Sequence, residues 1–170
     1  MGDSGGSLTS RSATGLRGLM DAVGFDDVDE AEALADGWQV SDFAEARPRS
    51  LGDLVRRTGA PAVMVTFLDS DIGFVEAVTP GGGTWEGLLN RTMAESYGIP
   101  LEQFPVEPAV TGALAWSTAA GLKGDEELIR KALTGSALFA SELSALLSVA
   151  LGIPGAQLPE PDDDEGDDEE

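Results

Sequence analysis

An α+β fold, one domain with a small antiparallel sheet around a central hairpin, flanked by helices and helical in its C-terminal third, is what the patterning calls for. Two β-rich runs, "AVMVTFL" and "IGFVEAVT", stand only a few residues apart and should pair antiparallel. Around them lie segments with apolar residues at helical spacing, several opened by a capping residue and closed by glycine. The 170 residues are enough for one real core and too few for two ordinary domains. The expected organisation is a disordered arm over 1–12, a globular domain over 13–155 and a disordered acidic tail over 156–170.

Element by element, the Gly/Ser-rich start has too little apolar content to order itself. Leu16, Leu19, Met20 and Val23 mark a helix that Gly24 stops. "DDVDEAEALADG" places acids in a first turn, where they oppose the positive helix end, and Gly37 closes it. "WQVSDF" alternates Trp38 and Val40 with polar residues as a short strand. Ser50 opens the next helix with Asp53 three positions on, a variant of the capping box, and Gly59 ends it before Pro61.

"AVMVTFL" is apolar on both alternating faces, as in a central strand covered on two sides. In the strand after it, Glu76 intrudes among Ile72, Phe74 and Val78, which reads best as an exposed sheet edge. Thr84 is expected to cap a helix with the stripe Trp85, Leu88, Leu89, Met93 and Tyr97. A further helix starts near Pro108, with Val110, Ala113, Leu114 and Trp116, and ends near Gly121. Asp125 caps "EELIRKAL", Gly135 ends it, and Ser136 caps "ALFASELSALLSVAL". The stops "YGIP" at 97–100 and "LGIP" at 151–154 share one device: a left-handed glycine, an Ile folding back and a proline that blocks the helix.

Composition excludes much chemistry. With no cysteine there are no disulfides or thiolate metal sites, and with no histidine the commonest acid/base and metal ligand is missing. Thirty-one acids against 10 bases give −21, and setting aside the nine acids of the tail "PEPDDDEGDDEE" leaves 22 acids against 10 bases, or −12. Such a surface repels phosphate backbones and anionic lipid, so neither direct nucleic-acid binding nor membrane binding is expected. No signal-peptide core or membrane-length apolar run is present, and a cytoplasmic protein is expected.

The stretch nearest to an active site is Asp69-Ser70-Asp71 after the apolar run. It resembles the aspartate pair of haloacid-dehalogenase-like phosphatases and the Asp-x-Asp of nucleotide-sugar glycosyltransferases. Both need elements this chain lacks: the next strand follows at once, and only about sixty residues precede the motif. As a calcium loop it fails at the third ligand position, Gly73, and at the twelfth, Pro80. Turn chemistry suits Asp, Ser and Asp better, so a hairpin turn is the leading reading and a metal site of Asp69, Asp71 and Glu76 the alternative. "TPGGGT" lacks the lysine of a phosphate loop and reads as a mobile loop. Trp38, Trp85, Trp116 and Tyr97 read as core, not as an aromatic pocket. Arg47, Arg49, Arg56 and Arg57, the only basic cluster, should pair with the chain's own acids.

"TGAPAVMVTFLDSDIGFVEAVTPGG" and "ALAWSTAAGL" resemble small actinobacterial proteins of unknown function. The resemblance carries no activity, cofactor or functional residue. The expectation is therefore a non-catalytic acidic interaction module, such as an inhibitor or immunity-type protein, for a basic protein partner and without a cofactor. Its partner-binding residues would be Asp162, Asp163, Asp164, Glu165, Asp167, Asp168, Glu169 and Glu170. The alternatives are a metal-dependent hydrolase using the Asp-x-Asp site and a DNA mimic.

Overall fold

The computed structural model describes residues 5–158. Its frame is a six-stranded sheet in the order β3-β4-β1-β6-β7-β8, every neighbouring pair antiparallel. The strands are β1 (Gly6–Arg11), β3 (Glu32–Ala33), β4 (Trp38–Phe43), β6 (Ala62–Leu68), β7 (Ile72–Val78) and β8 (Thr84–Leu89). A two-residue ribbon pairs β2 (Phe25–Asp26) with β5 (Glu45–Ala46).

Alternation along β6 decides how the sheet is covered. Ala62 and Met64 join Leu8 in a core with α1 (Leu16–Ala22) and α2 (Ser50–Thr58), through Leu16, Met20, Leu51 and Leu54. Val63 and Val65 enter the larger core with Val75, Ala77 and Trp85. That core is completed by α4 (Val106–Ala119), α5 (Glu126–Thr134) and α6 (Ala140–Leu151). A third cluster packs Ile72 and Leu88 under α3 (Arg91–Ser96) and a 3-10 turn at Leu101–Gln103. The α+β architecture, the central hairpin and the helical C-terminal part are as the patterning required. Among the described residues no helix is long and apolar enough to cross a membrane.

Four local expectations are corrected. Residues 6–11 are no arm: they form β1, hydrogen-bonded to β4 on one side and β6 on the other. One apolar side chain, fully buried Leu8, suffices because the backbone is satisfied on both flanks and the Ser10 hydroxyl donates to the Pro61 carbonyl at 2.8 Å. Residues 26–37 form no helix. Only Val28 of its apolar positions is buried, and the backbone binds β4 instead: Asp29 N–H donates to Asp42 O at 2.8 Å and Leu34 N–H to Trp38 O at 2.8 Å. An acidic run without a buried stripe gains too little from helix formation to offset like-charge repulsion.

The expected helix from Thr84 is β8 followed by the short α3, separated by Asn90 in a left-handed conformation (φ 66°). Gly87 weakens a helix there, while Trp85 and Leu89 suit a strand paired with β7 along its length. Finally, α6 begins at Ala140, not after Ser136, and the Glu142 carboxylate accepts from Phe139 N–H at 3.3 Å. Asp125 does cap α5, accepting from Leu128 N–H at 3.1 Å. The two GIP stops also match: Gly98 and Gly152 have φ of 84° and 86°, and Ile99 and Ile153 N–H donate back to Ala94 and Ser148 carbonyls.

Candidate functional site

Asp69-Ser70-Asp71 is the connection between β6 and β7, in which Leu68 faces Ile72. Asp69 and Ser70 both have positive φ, 53° and 65°, and Asp71 N–H donates to Leu68 O at 3.0 Å. Asp tolerates that region and turns the chain tightly. The tip is also a structural tie. Buried Asn90 donates from Nδ2 to Asp71 O (2.7 Å) and Ala137 O (3.0 Å), and accepts from Ala137 N–H (3.3 Å). Ala140 N–H donates to Ser70 O at 3.0 Å, and Tyr97 Oη donates to Asp71 Oδ2 at 2.8 Å.

Glu76 is not brought to the two aspartates. It lies mid-strand, facing Met64 on β6 and Glu86 on β8, while Asp71 sits beyond the last pair of the hairpin. Its side chain is exposed as expected, though β7 is an inner strand and not an edge. Lost hydration, then the neighbouring Glu86, push its carboxyl above the ordinary value. Among the described residues no group of three or more acids, His or Cys converges as a cation site. The three tryptophans are core, with Trp38 and Trp116 edge to face at 6.1 Å, and Tyr97 is exposed. The proposed partner-binding acids from Asp162 to Glu170 lie outside the described residues.

A groove of about 1150 Å³ lies between α6 and the β4-β1-β6 part of the sheet. Strand register builds its floor in two rows, Asp42–Ser7–Val65 and Val40–Thr9–Val63. One wall is α6, presenting Ser141, Ser144 and Ser148, whose hydroxyls have no hydrogen-bond partner among the described residues. The other wall is the 26–29 segment with Glu45. Asp27 is left-handed there (φ 51°), and the segment is tied to β4 through the Asp29–Asp42 backbone bond. At the far end Leu151 lines the groove, and Ala35 N–H donates to Pro154 O at 3.2 Å, holding the segment after α6 to the edge of the sheet.

Five carboxylates line this groove: Asp26, Asp27, Asp29, Asp42 and Glu45. No lysine or arginine lines it, and none of the five makes an ion pair among the described residues. Asp26 and Glu45 face each other directly across the β2–β5 ribbon. Asp42 has its carboxyl raised, first by lost hydration, with a Ser7 hydrogen bond pulling it back and Asp29 and Glu32 pushing it further up. The arginines are elsewhere. Arg47, Arg56 and Arg57 line a smaller hollow of about 540 Å³ with Asp21, Asp26 and Asp53, and Arg56 pairs with Asp53 as expected of that cluster.

Sequence reasoning overlooked the groove acids, although one signal was available. Trp38, Val40 and Asp42 share one face of β4, so Asp42 is a carboxylate on a core-directed face. The other four acids come together through the β2–β5 pairing and the Asp29–Asp42 backbone bond, for which two-residue strands leave no pattern. No family model, curated protein or solved structure matches the chain, so its function has to be argued from this geometry.

Proposed function

We propose that the protein is a non-catalytic acidic interaction module that binds a basic protein partner, in the manner of an inhibitor or immunity protein. The observation that carries this reading is a groove with five carboxylates and, among the described residues, no cation in its lining and no ion pair to neutralise them. Like charges held together cost free energy in the isolated chain, and a cationic partner recovers that cost on binding. The surplus of acids over the whole sequence steers such a partner from a distance, and the lack of histidine and cysteine removes most catalytic vocabulary.

The test is affinity purification of the full chain from its native host, followed by titration of each recovered complex with salt. A partner of high isoelectric point is expected, bound progressively more weakly as salt rises from about 0.1 M to about 1 M and the screening length falls from about 10 Å to about 3 Å. Partners that are acidic or neutral, or complexes indifferent to salt, would overturn the proposal.

A further inference from the structure

Building on that reading, we infer that the groove between α6 and β1/β4 receives an extended, lysine- or arginine-bearing segment of the basic partner, and that this groove rather than the C-terminal acidic tail is the specific docking site. Size argues for a peptide: about 1150 Å³ exceeds the 300–1,000 Å³ of ordinary small-molecule pockets. The wall formed by the 12-residue α6 is about 18 Å long, the reach of five or six extended residues at about 3.3 Å each.

The two walls differ in a way that suits an extended chain. Ser141, Ser144 and Ser148 recur at helical spacing along one wall, with hydroxyls that are free to donate to and accept from peptide groups. The opposite wall is acidic, so every second side chain of a strand-like segment meets carboxylates. Half-buried Val40 in the floor and exposed Phe139 at the start of α6 provide apolar surface for the methylene stems of lysine or arginine. Asp42 stands in that floor beside Ser7, flanked by Asp29, where a cationic head group reaches a carboxylate partly withdrawn from water.

The test uses the full chain and a blocked synthetic peptide, Lys-Val-Lys-Val-Lys, with Gln-Val-Gln-Val-Gln and spermidine as controls, followed by calorimetry and backbone NMR shifts. The lysine peptide is expected to bind and to shift amides of Ser7, Thr9, Val63, Val65 and α6, while the glutamine peptide does not. A D29N/D42N chain and, independently, Ser144→Lys should each weaken binding at least about tenfold. A full-length chain with Asp162, Asp163, Asp164 and Glu165 changed to amides should keep the affinity within about threefold. Circular dichroism confirms that each variant is folded. Binding that survives both groove variants, that disappears with the tail charges, or that spermidine matches in strength overturns the inference. In those cases a salt-sensitive basic partner of the full chain would still uphold the broader proposal, and its absence would remove that too.

Discussion

The side-chain amide of Asn90 donates to the main-chain carbonyl of Asp71 at 2.7 Å, across 19 residues of sequence, and joins the tip of the β6–β7 hairpin to the start of α3. The same amide reaches Ala137 at 3.0 Å, so one buried side chain holds the hairpin, β8 and the α5–α6 connection together.

Asn90→Ala removes two donors and one acceptor and leaves the carbonyls of Asp71 and Ala137 without that partner. It also forces alanine into a left-handed conformation at φ 66°. The expected loss is about 2–4 kcal/mol in urea unfolding, from unsatisfied buried groups and the backbone term together. Asn90→Gly keeps the backbone freedom and loses only the hydrogen bonds, so it should fall between wild type and the alanine variant. Equal stability of all three would remove the structural role assigned here to the hairpin tip.

Tyr97 is the chain's only tyrosine, so its ionisation can be followed alone by tyrosinate absorbance. Its phenol donates to Asp71 at 2.8 Å, and that bond, with the nearby charges of Asp71 and Asp69, holds its pKa above the usual value of 10.0. Asp71→Asn should bring the midpoint down towards that value, and Asp69→Asn should bring it down by less. An unchanged midpoint in Asp71→Asn would show that the pair does not persist in solution.

Two glycines inside helices should respond with opposite signs to alanine. Gly18 in α1 has open space where a Cβ would go, so Gly18→Ala should stabilise by about 0.5–1 kcal/mol through helix propensity. Gly112 in α4 lies against Trp85 of β8, and a Cβ there would fall inside the contact surface of the Trp85 Cβ. Gly112→Ala should therefore destabilise by about 1–3 kcal/mol despite the same propensity gain. Thermal unfolding of both variants decides whether α4 rests on the sheet through this close approach.

Local signals carried the sequence reading where they were strong. The capping aspartate at 125, the left-handed glycines at 98 and 152 and the doubly apolar β6 each act through a few residues, and each is found as expected. β1 escaped because its order comes from two partners distant in sequence, with Leu8 its one apolar side chain. The same holds for 26–37, where apolar spacing at Val28, Ala31 and Leu34 mimics a helix while β4 supplies the hydrogen bonds. At Asp69–Asp71 the turn was legible from composition, and its ties to Asn90 and Ala140 were not. The groove was the least legible feature, since its acids come from two separate stretches, 26–29 and 42–45, that only the pairing of β2 with β5 and the Asp29–Asp42 backbone bond bring together.

Glu76 and Glu86 face each other across β7 and β8, an arrangement that costs roughly 0.2–1 kcal/mol relative to a neutral pair. Glu86→Lys should recover at least that much at about pH 7. The pH dependence has a definite sign. Because the folded-state pKa of Glu76 lies above the ordinary 4.5, the native state holds more protons than the unfolded state between the two values. Stability from this site therefore rises as pH falls through that window and is lost as pH climbs above it. Denaturant midpoints across that window should show a smaller slope in Glu86→Lys than in wild type.

Asp42 extends the same reasoning to the groove and separates a functional arrangement from a merely solvated acidic face. Its carboxyl is raised by lost hydration, against a Ser7 hydrogen bond and with Asp29 and Glu32 adding to the shift, so it too lowers stability above the window and restores it below. An ordinary surface acid replaced by its amide changes stability by no more than about 0.5 kcal/mol in either direction. Asp42→Asn removes a repelled, partly dehydrated charge and should raise the melting temperature at about pH 7, with the gain disappearing as the pH approaches the ordinary carboxyl value. Asp29→Asn should relieve part of the same repulsion, and the double variant should gain less than the two single gains combined, because each substitution removes the other's unfavourable neighbour. Strictly additive gains, or none, would mean that these carboxylates do not act on one another and that the groove holds no charge strain for a cationic segment to relieve.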